Sequence, residues 1–600
     1  MQTSIYYECK NMVTAWKTLI ISEYTQHKIY HMLRRKMRGA EAMSKILDNN
    51  YYDLAISNTL IPDFRSGDNI TWLNDEFSLL HVSKSDKQPC DLGEYPYSLF
   101  SALFTPTSVI DSAPQVICNT QQTEHFTLLG QGILIGLVDT GIDYQHPAFR
   151  NKDKTTRIIS IWDQTHQDGV VPDGFTFGTE YSKVLLNNAL LSADPKILAP
   201  TTDENGHGTA IASIVAGSPT EDRSFSGIVP NSELIVVKLK EAKQNLKMIF
   251  SVPEDKLCYQ ESDIILGVRY LISVAQRLKR PLVICIALGS NQGSHDGRGI
   301  LSLYLESIVR IPDISVAISA GNEGNSNRHY FGTSMYPPYT KDFQLNVGAQ
   351  DRMFSMEIWP NLPGRLAIEV SSPDRETISL VHPSFYTCEK FTFKSSTSVV
   401  WINNMAFERG TGDQLILLRF ADPLPGIWYI HVQSTDNEPF SIHSWLPSGD
   451  LISNDTFFLF PNPDTTITAP GNAWHPLTVT AYNQLSGNIL NESSRGYTRS
   501  GLVKPDVAAP GYQISCALPG GSYGTLTGTG AAAAYAAGSL AMIFEWTQGK
   551  GNFTYVTGEQ ASLMLIRTAS RNPAYSYPNN IWGYGTIDVF KLLSRLSDDM

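Results

Sequence analysis

No stretch of this 600-residue chain approaches the eighteen or so uninterrupted apolar residues of a membrane-spanning helix, so no membrane span is expected. Charge is also sparse, at 17% of residues, and it leans negative: 46 Lys and Arg against 58 Asp and Glu give −12 at pH 7. Such a balance offers no broad basic surface for phosphate, and nucleic acid is not an expected partner. Cysteine is limited to seven positions, 9, 90, 118, 258, 285, 388 and 516, an odd number with no Cys-x-x-Cys pair. Neither a zinc site nor a complete disulfide framework is indicated, and reduced, partly buried thiols are expected. Internal repeats and low-complexity tracts are missing. The chain is 42% hydrophobic with 44 Gly and 33 Pro, which excludes disordered, collagenous and coiled-coil classes. Its length allows about four average domains, or one large enzyme domain with insertions.

Residues 1–42 hold seven Lys and Arg against three Asp and Glu, an extension of unclear role, and either Met1 or Met43 could open the protein. The apolar groups near Met12 and Leu19 are broken by Lys17 and preceded by Glu8, a poor secretory core, so no signal peptide is expected. From Met43 a helical start over 46–52 and strand-like alternation over 77–83 suggest a small α+β unit. A connector punctuated by Pro89, Pro96, Pro106 and Pro114 follows.

Continuous apolar runs then appear at 132–138, 232–239, 282–288 and 314–320, with helical spacing over 263–279 and 299–309. Strands buried on both faces and alternating with helices predict an α/β domain around a parallel sheet. Between about 339 and 461 the texture becomes short alternating segments, among them 344–347, 366–370, 415–420 and 428–432, separated by Pro, Gly and Asp. A β-sandwich or jelly roll inserted into the α/β domain is expected there.

Three motifs carrying glycine lie among these strands and helices. Asp139-Thr140-Gly141 places a carboxylate at a strand's carboxyl end, where open α/β sheets build their sites, although such a turn alone is also compatible with an ordinary loop or an aspartic-protease element. Asn205-Gly206-His207-Gly208-Thr209 sets an imidazole between two glycines at the start of a small-residue helix. Asn322, within Gly321-Asn322-Glu323-Gly324, is either a turn residue or an amide donor for a developing oxyanion.

Taken in this order, Asp139, His207 and Asn322 resemble the peptidase S8, or subtilisin-like, family, whose triad runs Asp, His, Ser along the chain. Lys504-Pro505-Asp506-Val507-Ala508-Ala509-Pro510-Gly511 matches a further family stretch. The family's Gly-Thr-Ser-x-Ala-Ala then departs: the segment reads Gly528-Thr529-Gly530-Ala531-Ala532-Ala533, so Gly530 stands where the nucleophilic serine is expected. Thr527, Thr529 and Ser522 are offset along the chain and are not expected to replace it. Ala287-Leu288-Gly289 stands where the substrate groove usually carries Ser-Leu-Gly, and its backbone pairing would survive.

The inserted β region, Gly289-Ser290-Asn291-Gln292-Gly293-Ser294-His295-Asp296-Gly297 and the closing Tyr577-Pro578-Asn579-Asn580-Ile581-Trp582-Gly583-Tyr584-Gly585-Thr586-Ile587-Asp588 resemble the clostridial germination subtilases called Csp. That resemblance implies a prodomain over 43–95, a subtilase core over 96–338 and 462–600, and a jelly roll over 339–461. It also implies a soluble protein packaged in the spore, with no cofactor and no metal. Active members cleave the proform of a spore-cortex hydrolase, whereas pseudoprotease paralogues relay germinant signals. Gly530 implies the second class, with an active endopeptidase as the alternative. Implied partners are the chain's own prodomain in the cleft, a partner protease or cortex-hydrolase proform, and a small-molecule germinant. Trp401, Trp428 and Trp445 leave open a glycan-binding role for the insert, against the plainer reading as core aromatics.

Overall fold

The computed structural model describes residues 44–58, 69–85, 90–112, 128–361, 363–385, 387–549, 551–552 and 555–598. The basic extension, Cys9 and Cys118 lie outside these residues. No helix among the described residues is long and apolar enough to cross a membrane.

The centre is a nine-stranded sheet. Strand Leu134–Asp139 lies between Leu282–Ile286 and Glu233–Lys238. The sheet continues on one side through Ile314–Ser319 and Leu477–Asn483 to Val507–Pro510, all in parallel. On the other side Ile158–Asp163 runs parallel to Glu233–Lys238, and Thr179–Ser182 closes the edge in antiparallel fashion.

The apolar runs are continuous because each strand feeds two cores. Ile135, Leu137, Val283 and Cys285 pack on one face with helices His207–Ala216, Thr529–Phe544 and Gly558–Thr568. Leu134, Val138, Ile284 and Ile286 pack on the other with Glu261–Leu278 and Ile300–Ile308. Helix Thr529–Phe544 is buried nearly all round, which its alanines permit by keeping its girth small. Together these elements are the α/β architecture around a largely parallel sheet that the apolar runs predict.

At the N-terminal end, strand Tyr51–Ser57 pairs antiparallel with Phe77–Ser83, which also pairs with Ile70–Trp72. The helical start expected over 46–52 is therefore not observed: residues 45–47 turn, and Tyr51 already begins a strand. Alternating Tyr52 and Leu54 are drawn to an aromatic cluster with Tyr97, Phe100 and Phe250, and this tertiary packing overrides the local helical pattern. The unit is anchored by a buried pair, Asp53 Oδ2 with Lys243 Nζ at 2.7 Å, while Asp53 Oδ1 accepts from His81 Nδ1 at 2.7 Å. Burial works against the Asp53 charge, but Lys243 and His81 outweigh it and hold the carboxyl below its usual range.

Residues 329–458 form two antiparallel sheets enclosing their own apolar core. One sheet turns Trp359, Leu415, Leu417 and Trp445 outward into the cluster shared with Tyr52, Tyr97 and Phe250. The expectation of reduced thiols fails at two positions: Cys90 and Cys388 form a disulfide across 298 residues of sequence. Cys258, Cys285 and Cys516 are free and buried.

Candidate active site

Asp139, His207 and Asn322 converge at the carboxyl ends of the parallel strands. Asp139 ends its strand, and Thr140 N–H fixes the carboxylate at 2.7 Å. His207 opens helix His207–Ala216 after Gly206, whose φ of +86° is costly for any side-chain-bearing residue. Gly208 is required by space, since a Cβ there would lie 2.2 Å from the Gly141 carbonyl oxygen. Thr140 Oγ1 accepts from Gly208 N at 2.9 Å and donates to Asp203 Oδ1 at 2.8 Å, tying the aspartate turn to the histidine helix.

His207 Nδ1 lies 2.8 Å from Asp139 Oδ1, both side chains being at most 2% exposed. A carboxylate only accepts, so Nδ1 carries the proton and Nε2 presents a lone pair. That Nε2 is buried and has no hydrogen-bond partner. Gly530, the second residue of helix Thr529–Phe544, offers it no side chain. The neighbouring hydroxyls are committed elsewhere: Thr529 Oγ1 donates to Asn322 Oδ1 at 3.0 Å, Thr527 Oγ1 accepts from Gln513 N, and Ser522 Oγ reaches the Pro519 carbonyl.

The region read as a proline-punctuated connector is instead a strand laid through this cleft. Leu103–Pro106 pairs antiparallel on both sides, Phe104 with Tyr259, and Thr105 and Pro106 with Gly289 and Leu288. Ala287 completes the groove: its carbonyl accepts from Thr107 N at 3.0 Å and from Thr107 Oγ1 at 2.8 Å. Beyond the centre, Val109–Asp111 pairs with Ser522–Thr527. Ala287, Leu288 and Gly289 thus bind backbone as a substrate groove would.

At the midpoint, the Thr107 carbonyl oxygen accepts from Asn322 Nδ2 at 2.7 Å and from Gly530 N at 3.0 Å. Two converging donors on one carbonyl have the arrangement an oxyanion hole requires, and the bond presented to them is Thr107–Ser108. Ser108 Oγ accepts from Ala531 N at 3.1 Å and lies 2.4 Å from where a Cβ on Gly530 would stand. Thr107 and Ser108 carry no sequence signal of this role, because their partners sit 180 to 423 positions downstream. The Leu103-to-Asp111 alternation, broken by Pro106, was the available hint.

Of the three tryptophans, Trp428 and Trp445 are buried, at 0% and 2% exposure, and Trp401 lies beneath Lys390 Nζ at 5.6 Å. They present no open stacking platform.

The subtilase family model matches residues 130–408 and 420–585. The solved structure of the Clostridium perfringens CspB protease is similar, with a TM-score of 0.71 at 27% identity over 82% of this chain and 98% of that one. C5a peptidase from Streptococcus pyogenes is 22% identical over 69% of this chain, and subtilisin-like protease SBT2.2 from Arabidopsis thaliana is 32% identical over 18%. The chain spans 34% and 15% of the lengths of these two curated relatives.

Proposed function

Because the chain belongs to the subtilase family, we propose that it is a pseudoprotease: it keeps the family's peptide cleft but does not turn over external substrates, and it acts in spore germination by binding. The observation that carries this reading is Gly530 at the nucleophile's position, with Thr107–Ser108 laid across the oxyanion hole. Loss of the serine in such a triad costs about 10⁶ in kcat. The N-terminal unit and its strand through the cleft are read as a prodomain that stays on the core. On the resemblance to germination subtilases, the protein is placed in the spore, beside an intact partner protease and the proform of a cortex hydrolase, with a small-molecule germinant as a further ligand. No cofactor is invoked.

The second reading, an active serine endopeptidase, draws on the intact Asp139–His207 pair and the Asn322 donor. Reconstitution separates the two. The chain is mixed with an intact germination-type subtilase and a cortex-hydrolase proform, and proform processing is followed on gels. A change in the partner's processing rate, with no processing by this chain alone, is expected. Processing of the proform by this chain alone would overturn the proposal.

A further inference from the structure

We propose that the Thr107–Ser108 bond is opened once, in cis, by the serine it contains: Ser108 Oγ takes the place of the missing side chain of Gly530 through a nitrogen-to-oxygen acyl shift. The inference rests on reading the cleft as substrate-bound, and it deepens that reading by naming a nucleophile.

Three observations support it. The Thr107 carbonyl is already held by both oxyanion donors, Asn322 Nδ2 at 2.7 Å and Gly530 N at 3.0 Å. Ser108 Oγ stands 2.4 Å from the position of an absent Cβ on Gly530, closer than any non-bonded contact, so it occupies the space from which a family serine would attack. It is held there as the acceptor of a hydrogen bond from Ala531 N at 3.1 Å. Finally, His207 Nε2 is buried and bonded to no group, Ser108 Oγ included, while Nδ1 is fixed on Asp139. A base without a proton to take and a hydroxyl in the nucleophile's place complement each other.

The step balances with one water and no other co-reactant. Ser108 Oγ turns from Ala531 N towards His207 Nε2 and gives it its proton. The Oγ–C bond forms at the Thr107 carbonyl carbon, and the resulting five-membered cyclic oxyanion keeps the Asn322 and Gly530 donors. The C–N bond then breaks, with His207 returning the proton to the Ser108 nitrogen, which leaves Thr107 esterified to Ser108 Oγ. Water hydrolyses the ester to a Thr107 carboxylate and a Ser108 amine with its hydroxyl restored. Attack within one residue gains the proximity that an external nucleophile lacks, an effective molarity of roughly 10⁵–10⁸ M in well-oriented cases. The nucleophile is part of the bond consumed, so the reaction happens once per chain.

The test follows the reduced intact mass of the full-length chain after purification, with and without hydroxylamine, which traps esters as hydroxamates. A fragment ending at Thr107 and one beginning at Ser108 are expected, with hydroxylamine accelerating their appearance and marking Thr107 as its hydroxamate. Ser108→Ala should stay intact while unfolding at the wild-type temperature. Ser108→Cys should cut and respond to added thiol, and His207→Ala should slow cutting at least tenfold. A wild-type chain that keeps its full mass in hydroxylamine, or a Ser108→Ala chain cut at the same bond as fast as wild type, overturns the proposal. Either result leaves the pseudoprotease reading standing, since that reading concerns external substrates.

Discussion

Restoring the family nucleophile at position 530 should fail as a single substitution and succeed as a double one. Gly530 lies in ordinary helical backbone, so Gly530→Ser meets no conformational obstacle; the obstacle is space. A Cβ at 530 would lie 2.4 Å from Ser108 Oγ, 3.1 Å from Ala287 Cβ and 3.2 Å from Thr107 Oγ1. Overpacking of this kind costs about 1–3 kcal/mol, and here it also displaces Ser108 from Ala531 N. Ser108→Ala removes the nearest atom and leaves the oxyanion donors in place. The double variant should therefore label with a fluorophosphonate probe and cut the bond between Thr107 and the new alanine, a cleavage that Ser108 cannot perform. Adding His207→Ala should lower that rate by roughly 10⁶. A double variant that unfolds at the wild-type temperature yet neither labels nor cuts would show that Asp139 and His207 no longer form a competent base. Labelling that survives His207→Ala would refute the reasoning from the other side.

Three further outcomes follow from the packing around the cleft. Lys243→Met should destabilise the folded chain by about 3–5 kcal/mol by stranding Asp53, and Asp53→Asn in the same chain should recover much of it, read as unfolding midpoints. Burial depresses His329 to about 3 and His443 to about 2, so both are neutral in the folded state at pH values where the unfolded chain protonates them. Their contribution is present above pH 6.5 and lost as pH falls towards 3. Glu357, pushed by burial up to about 7, works in the opposite direction, so the comparison is made against His443→Phe, which should lose about 2 kcal/mol less between pH 7.5 and 5 in thermal unfolding. If Thr107–Ser108 is cut, the Cys90–Cys388 bond should keep both fragments in one band on a non-reducing gel and release them on reduction. Separation without reductant would show that the disulfide does not form in the purified protein.

The α/β core was legible because its strands and motifs are local. The apolar runs around Leu134, Glu233, Leu282 and Ile314 feed two cores and so appear continuous; Asp139 and Asn322 each follow one of them in a glycine-flanked turn, and His207 is bracketed by glycines at a helix start. Segment 103–111 was not legible, since its structure is borrowed from Tyr259, Leu288, Gly289 and Thr525 far along the chain. Tyr51 and Tyr52 were misread as helical for the same reason, their strand being fixed by pairing with Ser83 and Val82. The Cys90–Cys388 bond joins residues whose proximity only the folded β insert creates, so neither spacing nor parity could show it.

The most direct test of the central claim is hydrolysis of a Phe-Thr-Pro-Thr p-nitroanilide, which carries the groove sequence of Phe104 to Thr107 and has a leaving group without a hydroxyl. The purified wild-type chain should give no turnover above buffer, while Gly530→Ser with Ser108→Ala should hydrolyse it once the Cys90–Cys388 bond has been reduced and the cut segment exchanged out. Multiple turnovers by the wild-type chain, abolished by His207→Ala, would contradict the claim that Gly530 leaves this subtilase without a nucleophile for external substrates.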